Sequence, residues 1–178
     1  APTPTARAFL DIKRGIEFKA VNEAGFCAPD FASKYDTDTR NQLKVIGILN
    51  DNGKPHFANC VVFPLRNVAG KLVGLYGRKA KGTGTSVTGK HDFLKCECEG
   101  VYSFHAVIVD TVYITESVID AISIKQLGAA SVLALHGVNG FTKVHEEWLA
   151  AKKIKTVYLL LDGDSAGREA SARLSMRL

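Results

Sequence analysis

Three acidic residues follow apolar segments in the second half of the sequence. Glu116 comes directly after the apolar segment 107–115, and Asp162 and Asp164 follow the apolar segment 156–161. If both segments are strands of one parallel sheet, their carboxyl ends meet at one edge and the three carboxylates lie close together. Clustered anions raise one another's pKa unless a cation neutralises them. Because Mg²⁺ and Mn²⁺ prefer carboxylate oxygens, the sequence predicts a divalent metal site at this edge.

Helix capping is the alternative explanation for part of this set. An Asp between a strand and a helix often accepts hydrogen bonds from the first helical turn, and Asp164 could serve that role alone. Asp162 ends an apolar strand and must leave the core in any case, so it does not decide between the two interpretations. Glu116 favours the metal site, because Ser117 or Thr115 would be a more suitable cap for the helix that follows.

Two glycines and one further acid accompany these residues. Gly163 and Gly167 lie beside the aspartates and allow a close approach of the backbone. Asp120 comes four residues after Glu116, on the same face of the predicted helix. Two roles stay open for Asp120: orienting a metal ligand or a basic partner, and a purely structural one.

Apolar strands alternate with helices from residue 107 onward. The predicted strands cover 107–115, 131–135 and 156–161, and the predicted helices cover 117–127, a segment running through Trp148, and a segment from Ala166 onward. Continuous apolar strands separated by helices are typical of parallel sheets with right-handed crossovers. We therefore predict an α/β domain with a Rossmann-like parallel sheet over residues 106–178.

The first 105 residues show a different pattern of short helices and a β-hairpin. Helices are predicted near 6–10, 17–24 and 40–46, with a break at Gly15 and a stop at 25–29. Two predicted strands, 60–65 and 71–76, flank a turn at 67–70. The pattern indicates an α+β subdomain over residues 1–105.

This first subdomain holds the whole net positive charge of the chain. Of the 23 basic and 18 acidic residues, 15 basic and 10 acidic ones precede residue 106, and the remainder holds eight of each. The segment 66–95 has seven basic residues against one acid, Asp92. Such an excess attracts a polyanion such as a nucleic acid, and a merely solvated face is the alternative.

Composition and cysteine spacing exclude several other classes. The 178 residues are 46% hydrophobic and 23% charged, as in globular rather than disordered or fibrous proteins. No apolar run approaches the ~20 residues of a membrane helix, so we expect a soluble, cytoplasmic protein without a membrane partner. Cys96 and Cys98 are the one closely spaced cysteine pair in the sequence, so we expect reduced thiols rather than a zinc site. The chain starts at Ala1 without Met and ends within a helical pattern, so we expect a fragment of a longer protein.

The segments around the acids resemble the Toprim module shared by DnaG-type primases, topoisomerases and some nucleases. The resemblance lies in 112–121, with Glu116 at its centre, and in 162–168, which reads Asp-Gly-Asp-Ser-Ala-Gly-Arg and is similar to the primase branch. Upstream, the Phe-Pro-Leu-Arg stretch 63–66 and the following Gly-Arg at 77–78 resemble the primase catalytic core. Residues 6–29 resemble the start of that core.

This resemblance implies RNA primer synthesis. A primase polymerises ribonucleoside triphosphates on a single-stranded DNA template with Mg²⁺ or Mn²⁺ as cofactor. Asp162 and Asp164 would hold the metal, and Glu116 would complete the cluster or act as a general base on the 3′-hydroxyl; both roles stay open. The residues implied to bind template and nucleotide phosphates are all basic: Arg66, Arg78, Lys79, Lys81, Lys90, Lys95 and Arg168. For Arg168, a local capping or pairing role is the alternative.

The chain also departs from the family. Many primases have Gly where this chain has Ser117, directly after the motif Glu. The family's Lys-Tyr-Leu-Asn segment is replaced by Lys-His-Asp-Phe-Leu-Lys at 90–95, which resembles primase-related proteins of plasmids, phages and integrated elements. The family's zinc-binding domain, third acidic motif and helicase-binding region lie outside this sequence. We therefore expect the fragment alone to be inactive, and a replicative helicase to be contacted through the missing regions.

Two other functions stay open. A Toprim nuclease would use a similar set of acids to hydrolyse phosphodiesters, but the basic first subdomain favours a primase. A non-catalytic module of a mobile element would bind single-stranded nucleic acid without turnover. The intact Glu116, Asp162 and Asp164 argue against that second alternative.

Overall fold

The chain divides into two compact units. A computed structural model describes residues 8–12, 14–17, 21, 23–80, 91–94, 100–105 and 109–178. The first unit comprises Ala1–Leu65 and Val73–Cys98, and the second comprises Arg66–Leu72 and Glu99–Leu178. Within the described residues, no helix is both long enough and apolar enough to cross a bilayer.

The first unit is built on a four-stranded sheet. Its strands are β1 (Gly25–Cys27), β2 (Cys60–Arg66), β3 (Leu72–Lys79) and β4 (His91–Phe93), in the order β1-β2-β3-β4. Its helical segments are a π-helical turn (Ala8–Ile12), a 3-10 turn (Phe31–Lys34) and helix α1 (Thr37–Val45). The predicted hairpin is confirmed, since β2 and β3 are neighbours and the Gly70 N–H donates to Asn67 O at the turn between them (2.9 Å).

Strand β2 has buried side chains on both of its faces. Val61, Phe63 and Leu65 are buried on one face, and Cys60 is buried on the other. On β3, Gly77 leaves room for the ring of Phe57, because a Cβ at Gly77 would lie 2.5 Å from Phe57 Cδ1. This position therefore requires glycine.

Several sequence predictions for the first unit differ from the structure. Helix α1 begins at Thr37 rather than near Arg40, because the Asp36 carboxylate caps it by accepting from the Thr39 N–H (2.8 Å). Gly25–Cys27 was predicted to end a helix, yet it is strand β1, which pairs antiparallel with β2. Residues 17, 21, 23 and 24 of the predicted helix 17–24 are not helical, and its other residues lie outside the described part, as do 6 and 7 of the first predicted helix.

The second unit is an α/β domain with a largely parallel sheet. Its strands are β5 (Tyr102–His105), β6 (Thr111–Thr115), β7 (Ser131–Ala134) and β8 (Thr156–Leu160), in the order β5-β7-β6-β8. Its helices are α2 (Val118–Gln126), α3 (Lys143–Ala151) and α4 (Ser165–Ser175). The predicted parallel pairing is confirmed, since β6 lies parallel to both β7 and β8.

The boundary between the units differs from the predicted one at 105/106. Strand β5 pairs antiparallel with β7 and so belongs to the second sheet. The turn after β2 also joins the second unit, because Arg66 and Val101 exchange backbone hydrogen bonds of 3.0 and 2.9 Å. Val68 from the same turn packs on the core of the second unit.

One buried histidine fixes the connection between β7 and α3. The core beside it includes Ile114, Leu133 and Trp148. His145 is 1% exposed, and its Nδ1 accepts from the backbone N–H of Thr142 (3.2 Å). Its Nε2 therefore carries the proton and donates to the carbonyl of Ala134 (3.3 Å). Burial lowers the pKa of His145 to about 4, so this buried ring is uncharged near neutral pH.

Candidate active site

The parallel pairing of β6 and β8 brings two acidic segments to the same edge of the sheet. Thr115 lies opposite Leu160 in the register, so Glu116 and Asp162 follow the carboxyl ends of neighbouring strands. We call Glu116, Asp162 and Asp164 the acidic edge. In parallel sheets, ligands bind outside the carboxyl ends of the strands, where these residues lie.

Glu116 is the most constrained member of the acidic edge. Burial raises its pKa, and the charge of Asp162 raises it further, while a hydrogen bond from the backbone N–H of Asp162 lowers it. Weaker upward effects come from Asp164 and Asp120. Its Oε2 atom is buried and accepts no hydrogen bond from any residue that the structure describes. A buried acceptor without a donor is costly, so this oxygen is available to a cation.

The two aspartates are exposed, and one of them caps a helix. Oδ1 of Asp164 accepts from the Gly167 N–H (2.8 Å), which makes Asp164 the N-cap of α4. Asp164 therefore does cap a helix, as one of the two interpretations predicted. The cap uses one of the two carboxylate oxygens, so it leaves the other available for a second role.

Of the two glycines, Gly167 provides the predicted close approach of the backbone. A Cβ at Gly167 would lie 1.9 Å from the carbonyl oxygen of Asp162, so the first turn of α4 packs directly on the Asp162 backbone. A Cβ at Gly163 would meet nothing within 4 Å. Gly167 thus holds Asp162 in place, whereas Gly163 is in an open position.

Ser117 and Asp120 form a compact pair beside Glu116. The Ser117 hydroxyl donates to Oδ2 of Asp120 (2.6 Å) and accepts from the Asp120 N–H (3.4 Å). Ser117, rather than Thr115, is therefore the N-cap of α2. Asp120 is exposed and raises the pKa of Glu116, so it belongs to the same electrostatic environment.

The chemistry of the acidic edge fits a hard divalent ion. Within the described ranges, no three His, Cys, Asp or Glu side chains are arranged to share one metal ion. The structure nevertheless brings Glu116 and Asp162 together, and all members of the edge offer carboxylate oxygens. The unsatisfied Oε2 of Glu116 is the observation that favours a cation at this place.

The predicted phosphate-binding residues are spread over several elements. Arg66 donates from Nη1 to Gly70 O (3.0 Å), which closes the turn after β2. Arg78 and Lys79 lie at the end of β3. Arg168 donates from Nη1 to the carbonyl of Gly163. This local contact is of the kind expected if Arg168 has a capping or pairing role instead of binding phosphate. Lys81, Lys90 and Lys95 lie outside the described residues.

Lys79 lies close enough to the thiol of Cys60 to influence it. Burial raises the pKa of Cys60 to about 12, with a further upward effect from Asp92 and an opposing one from Lys79. Cys60 and Cys27 are free thiols, opposite each other on β2 and β1. Cys96 and Cys98 lie outside the described residues.

Sequence reasoning missed two residues beside Arg78. His91 lies opposite Arg78 in the β3–β4 register and contacts its guanidinium, and the Tyr76 hydroxyl lies 2.8 Å from Nδ1 of His91. Because these residues lie on the paired strands β3 and β4, we call Arg78, Lys79 and His91 the basic strand pair. The alternation of Tyr76 and Arg78 along β3 was visible in the sequence, but the pairing with β4 was not.

Comparisons with known proteins found similarity to a Toprim-like family and to DNA primases. Residues 113–178 match the model of the Toprim-like family. A DNA primase of Neisseria meningitidis serogroup A is 28% identical over 185 residues, covering 96% of this chain and 31% of that protein. A DNA primase of Rickettsia typhi is 32% identical over 152 residues, covering 79% of this chain and 24% of that protein. The chain therefore spans between about a quarter and a third of the length of these curated relatives.

Solved structures show the same fold. A DNA primase domain from Pseudomonas aeruginosa matches with a TM-score of 0.73 at 23% identity, covering 96% of this chain and 59% of that one. A DnaG primase catalytic domain bound to single-stranded DNA matches with a TM-score of 0.71 at 22% identity, covering 97% and 59%.

The fold and the acidic edge together define a Toprim-like α/β module preceded by a mixed unit of helices and antiparallel strands. The chain is similar in sequence to DNA primases over 96% of its length and shares the fold of the DnaG catalytic core.

Proposed function

We propose that the protein containing this chain synthesises RNA primers on single-stranded DNA from ribonucleoside triphosphates. The observation that carries this proposal is the extent of the similarity to DNA primases, which covers 96% of the chain and hence both units. A match confined to the Toprim-like segment would not separate a primase from a nuclease that uses the same module. We place the reaction in the cytoplasm and infer a replicative helicase as a partner of the whole protein.

The acidic edge is the proposed catalytic centre. Glu116, Asp162 and Asp164 would hold Mg²⁺ or Mn²⁺, since their carboxylates are hard oxygen ligands and Oε2 of Glu116 lacks a donor among the described residues. When bound, such an ion neutralises phosphate charge and aligns the reacting groups. Glu116 either completes this ligand set or accepts the proton of the attacking 3′-hydroxyl.

The residues around the edge have positioning roles in this proposal. Gly167 keeps the backbone of Asp162 against α4, because any side chain there would collide with the Asp162 carbonyl. Ser117 restrains Asp120 through their 2.6 Å hydrogen bond. Asp120 would then act through its charge on Glu116 rather than as a free ligand.

The basic residues would bind phosphates of the template and of the nucleotides. In this proposal Arg78 and Lys79 contact the template strand, together with the lysines at 81, 90 and 95. Arg66 and Arg168 would contact nucleotide or template phosphates, because a guanidinium matches the geometry of a phosphate group.

A primer-synthesis assay tests the proposal. The full-length protein would be incubated with circular single-stranded DNA, labelled ribonucleoside triphosphates and Mg²⁺, and the products separated by size. We expect short RNA products that depend on both template and metal. Degradation of the template would instead identify a nuclease. Retention of the template without any product would identify a binding module, and either of these results would overturn the proposal.

A further inference from the structure

The antiparallel register of β3 and β4 places four side chains on one face of the first sheet. Arg78 lies opposite His91, and Tyr76 lies opposite Phe93. Because side chains alternate between faces along a strand, residues 76 and 78 share a face, and their partners share it with them. This face carries a buried aromatic part next to an exposed charged part.

Tyr76 anchors the exposed part to the core. Its side chain is 2% exposed, stacks on Phe63 with ring centroids 5.9 Å apart, and packs on Phe93 at 5.1 Å. Both sides of the ring are thus restrained by aromatic neighbours, which fixes the position of the hydroxyl. That hydroxyl lies 2.8 Å from Nδ1 of the exposed His91.

His91 connects this fixed hydroxyl to a guanidinium. Nη1 of Arg78 contacts Nε2 of His91 and lies 3.3 Å from Nδ1. Arg donates only, so a ring nitrogen must accept from it. With the His91 proton on Nδ1 and donated to the Tyr76 oxygen, Nε2 is free of a proton and accepts from Arg78. The ring is therefore a bridge between the core and Arg78.

We infer that His91 is a positioning residue that holds the Arg78 guanidinium ready for a nucleic-acid phosphate, an inference that rests on the proposed function. A guanidinium has five N–H donors, so one contact with His91 leaves donors for a phosphate. Restraining a long side chain before binding removes part of the entropy cost of ordering it in the complex. His91 stands within the 90–95 segment, where the sequence departs from the primase pattern.

A double-mutant cycle on the full-length protein tests the inference. Binding of a fluorescein-labelled oligo-dT would be followed by anisotropy for wild type, Arg78→Ala, His91→Ala and the double variant. We expect His91→Ala to weaken binding roughly three- to tenfold, the range for ordering one long side chain. In the Arg78→Ala background the same change should have almost no further effect, because nothing is left to position.

Two further His91 variants separate positioning from a structural role. His91→Gln keeps an acceptor and should restore most of the lost affinity, whereas His91→Phe keeps an aromatic ring without nitrogens and should behave like His91→Ala. The melting temperatures of all variants should stay close to that of wild type, since His91 is exposed.

The outcomes distinguish the inference from the proposed function. If Arg78→Ala weakens binding but the effect of His91→Ala adds to it in full, or His91→Gln fails to rescue, the inference is wrong and the proposed function stands. If Arg78→Ala leaves binding unchanged, Arg78 is not at the strand, and both the phosphate contact in the proposed function and the inference are wrong.

Discussion

The acidic edge of the second unit and the basic strand pair of the first unit differ in how neighbouring groups stabilise their charges. At the acidic edge, burial and the neighbouring Asp162 both raise the pKa of Glu116, and one of its oxygens has no donor among the described residues. In the basic strand pair, the Arg78 guanidinium lies against an imidazole that Tyr76 supports from the core. The acidic edge therefore holds charge that a cation would relieve, whereas the charge of Arg78 is held by a neighbouring side chain.

The largest expected effect is the loss of turnover from the acidic edge. Asp162→Asn in the full-length protein should reduce primer synthesis by at least about 100-fold, since it removes a charged ligand from the reacting groups. Affinity for single-stranded DNA should stay within about twofold, because that affinity comes from basic residues. Primer yield and anisotropy together check the prediction.

Glu147→Gln is the matched control for this change. It also replaces a carboxylate by an amide in the second unit, but on the exposed surface of α3, where Glu147 pairs only loosely with Lys143 (3.6 Å). It should leave primer yield unchanged. Full turnover by Asp162→Asn would remove Asp162 from the proposed ligand set.

The next largest effect is a pH dependence of stability that comes from the buried His145 of the second unit. The folded state lowers the pKa of His145 to about 4 from an ordinary 6.5, so the unfolded chain binds its proton more readily. Stability should therefore be fully present above pH 6.5 and fall as the pH drops toward 4, by about 3 kcal/mol from this group. Urea unfolding at a series of pH values measures this loss.

Glu116 works in the opposite direction as the pH falls toward its ordinary pKa of 4.5. Because folding raises its pKa above 4.5, the folded state binds this proton more readily and gains stability as the pH falls through that region. His145→Gln isolates the histidine contribution, since the variant should lose less stability than wild type between pH 6.5 and 4. Identical pH profiles for the two proteins would mean that His145 is not the buried neutral base described above.

A smaller effect is expected from the glycine that supports Asp162. Gly167→Ala should destabilise the protein by about 2 to 3 kcal/mol, because its Cβ would lie 1.9 Å from a backbone oxygen that cannot rotate away. Gly163→Ala offers a control three residues after the end of β8, where a Cβ meets nothing within 4 Å, and should change stability by less than about 1 kcal/mol. Equal free energies of unfolding for the two variants would contradict the close packing of α4 on Asp162.

The smallest expected effect is on the salt dependence of strand binding. Arg78→Ala should reduce the slope of log affinity against log salt by about 0.7, the value for one phosphate contact on a single strand. Lys54→Ala, an exposed residue in a turn of the same unit, should leave the slope unchanged. Anisotropy titrations at several salt concentrations measure both slopes, and an unaltered slope for Arg78→Ala would place this residue away from the strand.

The two regions also differ in how far the sequence could predict them. The acidic edge was predictable, because apolar strands between helices imply parallel pairing and hence a shared edge for Glu116 and Asp162. The capping contact of Asp164 could be stated only as an alternative, since strand-to-helix junctions serve both purposes. The second oxygen of Asp164 and the exposure of Asp120 depend on side-chain geometry that spacing does not encode.

The basic strand pair could be predicted only in part. The basic residues of 66–95 were visible as a charge excess, but the partner of Arg78 depends on the register between β3 and β4, two strands separated by residues 80–90. Loop length and hydrophobic pattern do not determine that register over such a distance. The antiparallel β5 was missed for a related reason: a segment of four residues carries no signal of which strand it pairs with.

Direct measurement of Mn²⁺ binding tests the central claim, that Glu116 and Asp162 act on one divalent ion. Free Mn²⁺ would be followed by electron paramagnetic resonance as it is titrated with the full-length wild type, Glu116→Gln, Asp162→Asn and Glu147→Gln. We predict that wild type and Glu147→Gln bind Mn²⁺ alike and that Glu116→Gln and Asp162→Asn each weaken binding at least about tenfold. Unchanged Mn²⁺ affinity in both Glu116→Gln and Asp162→Asn would contradict the account.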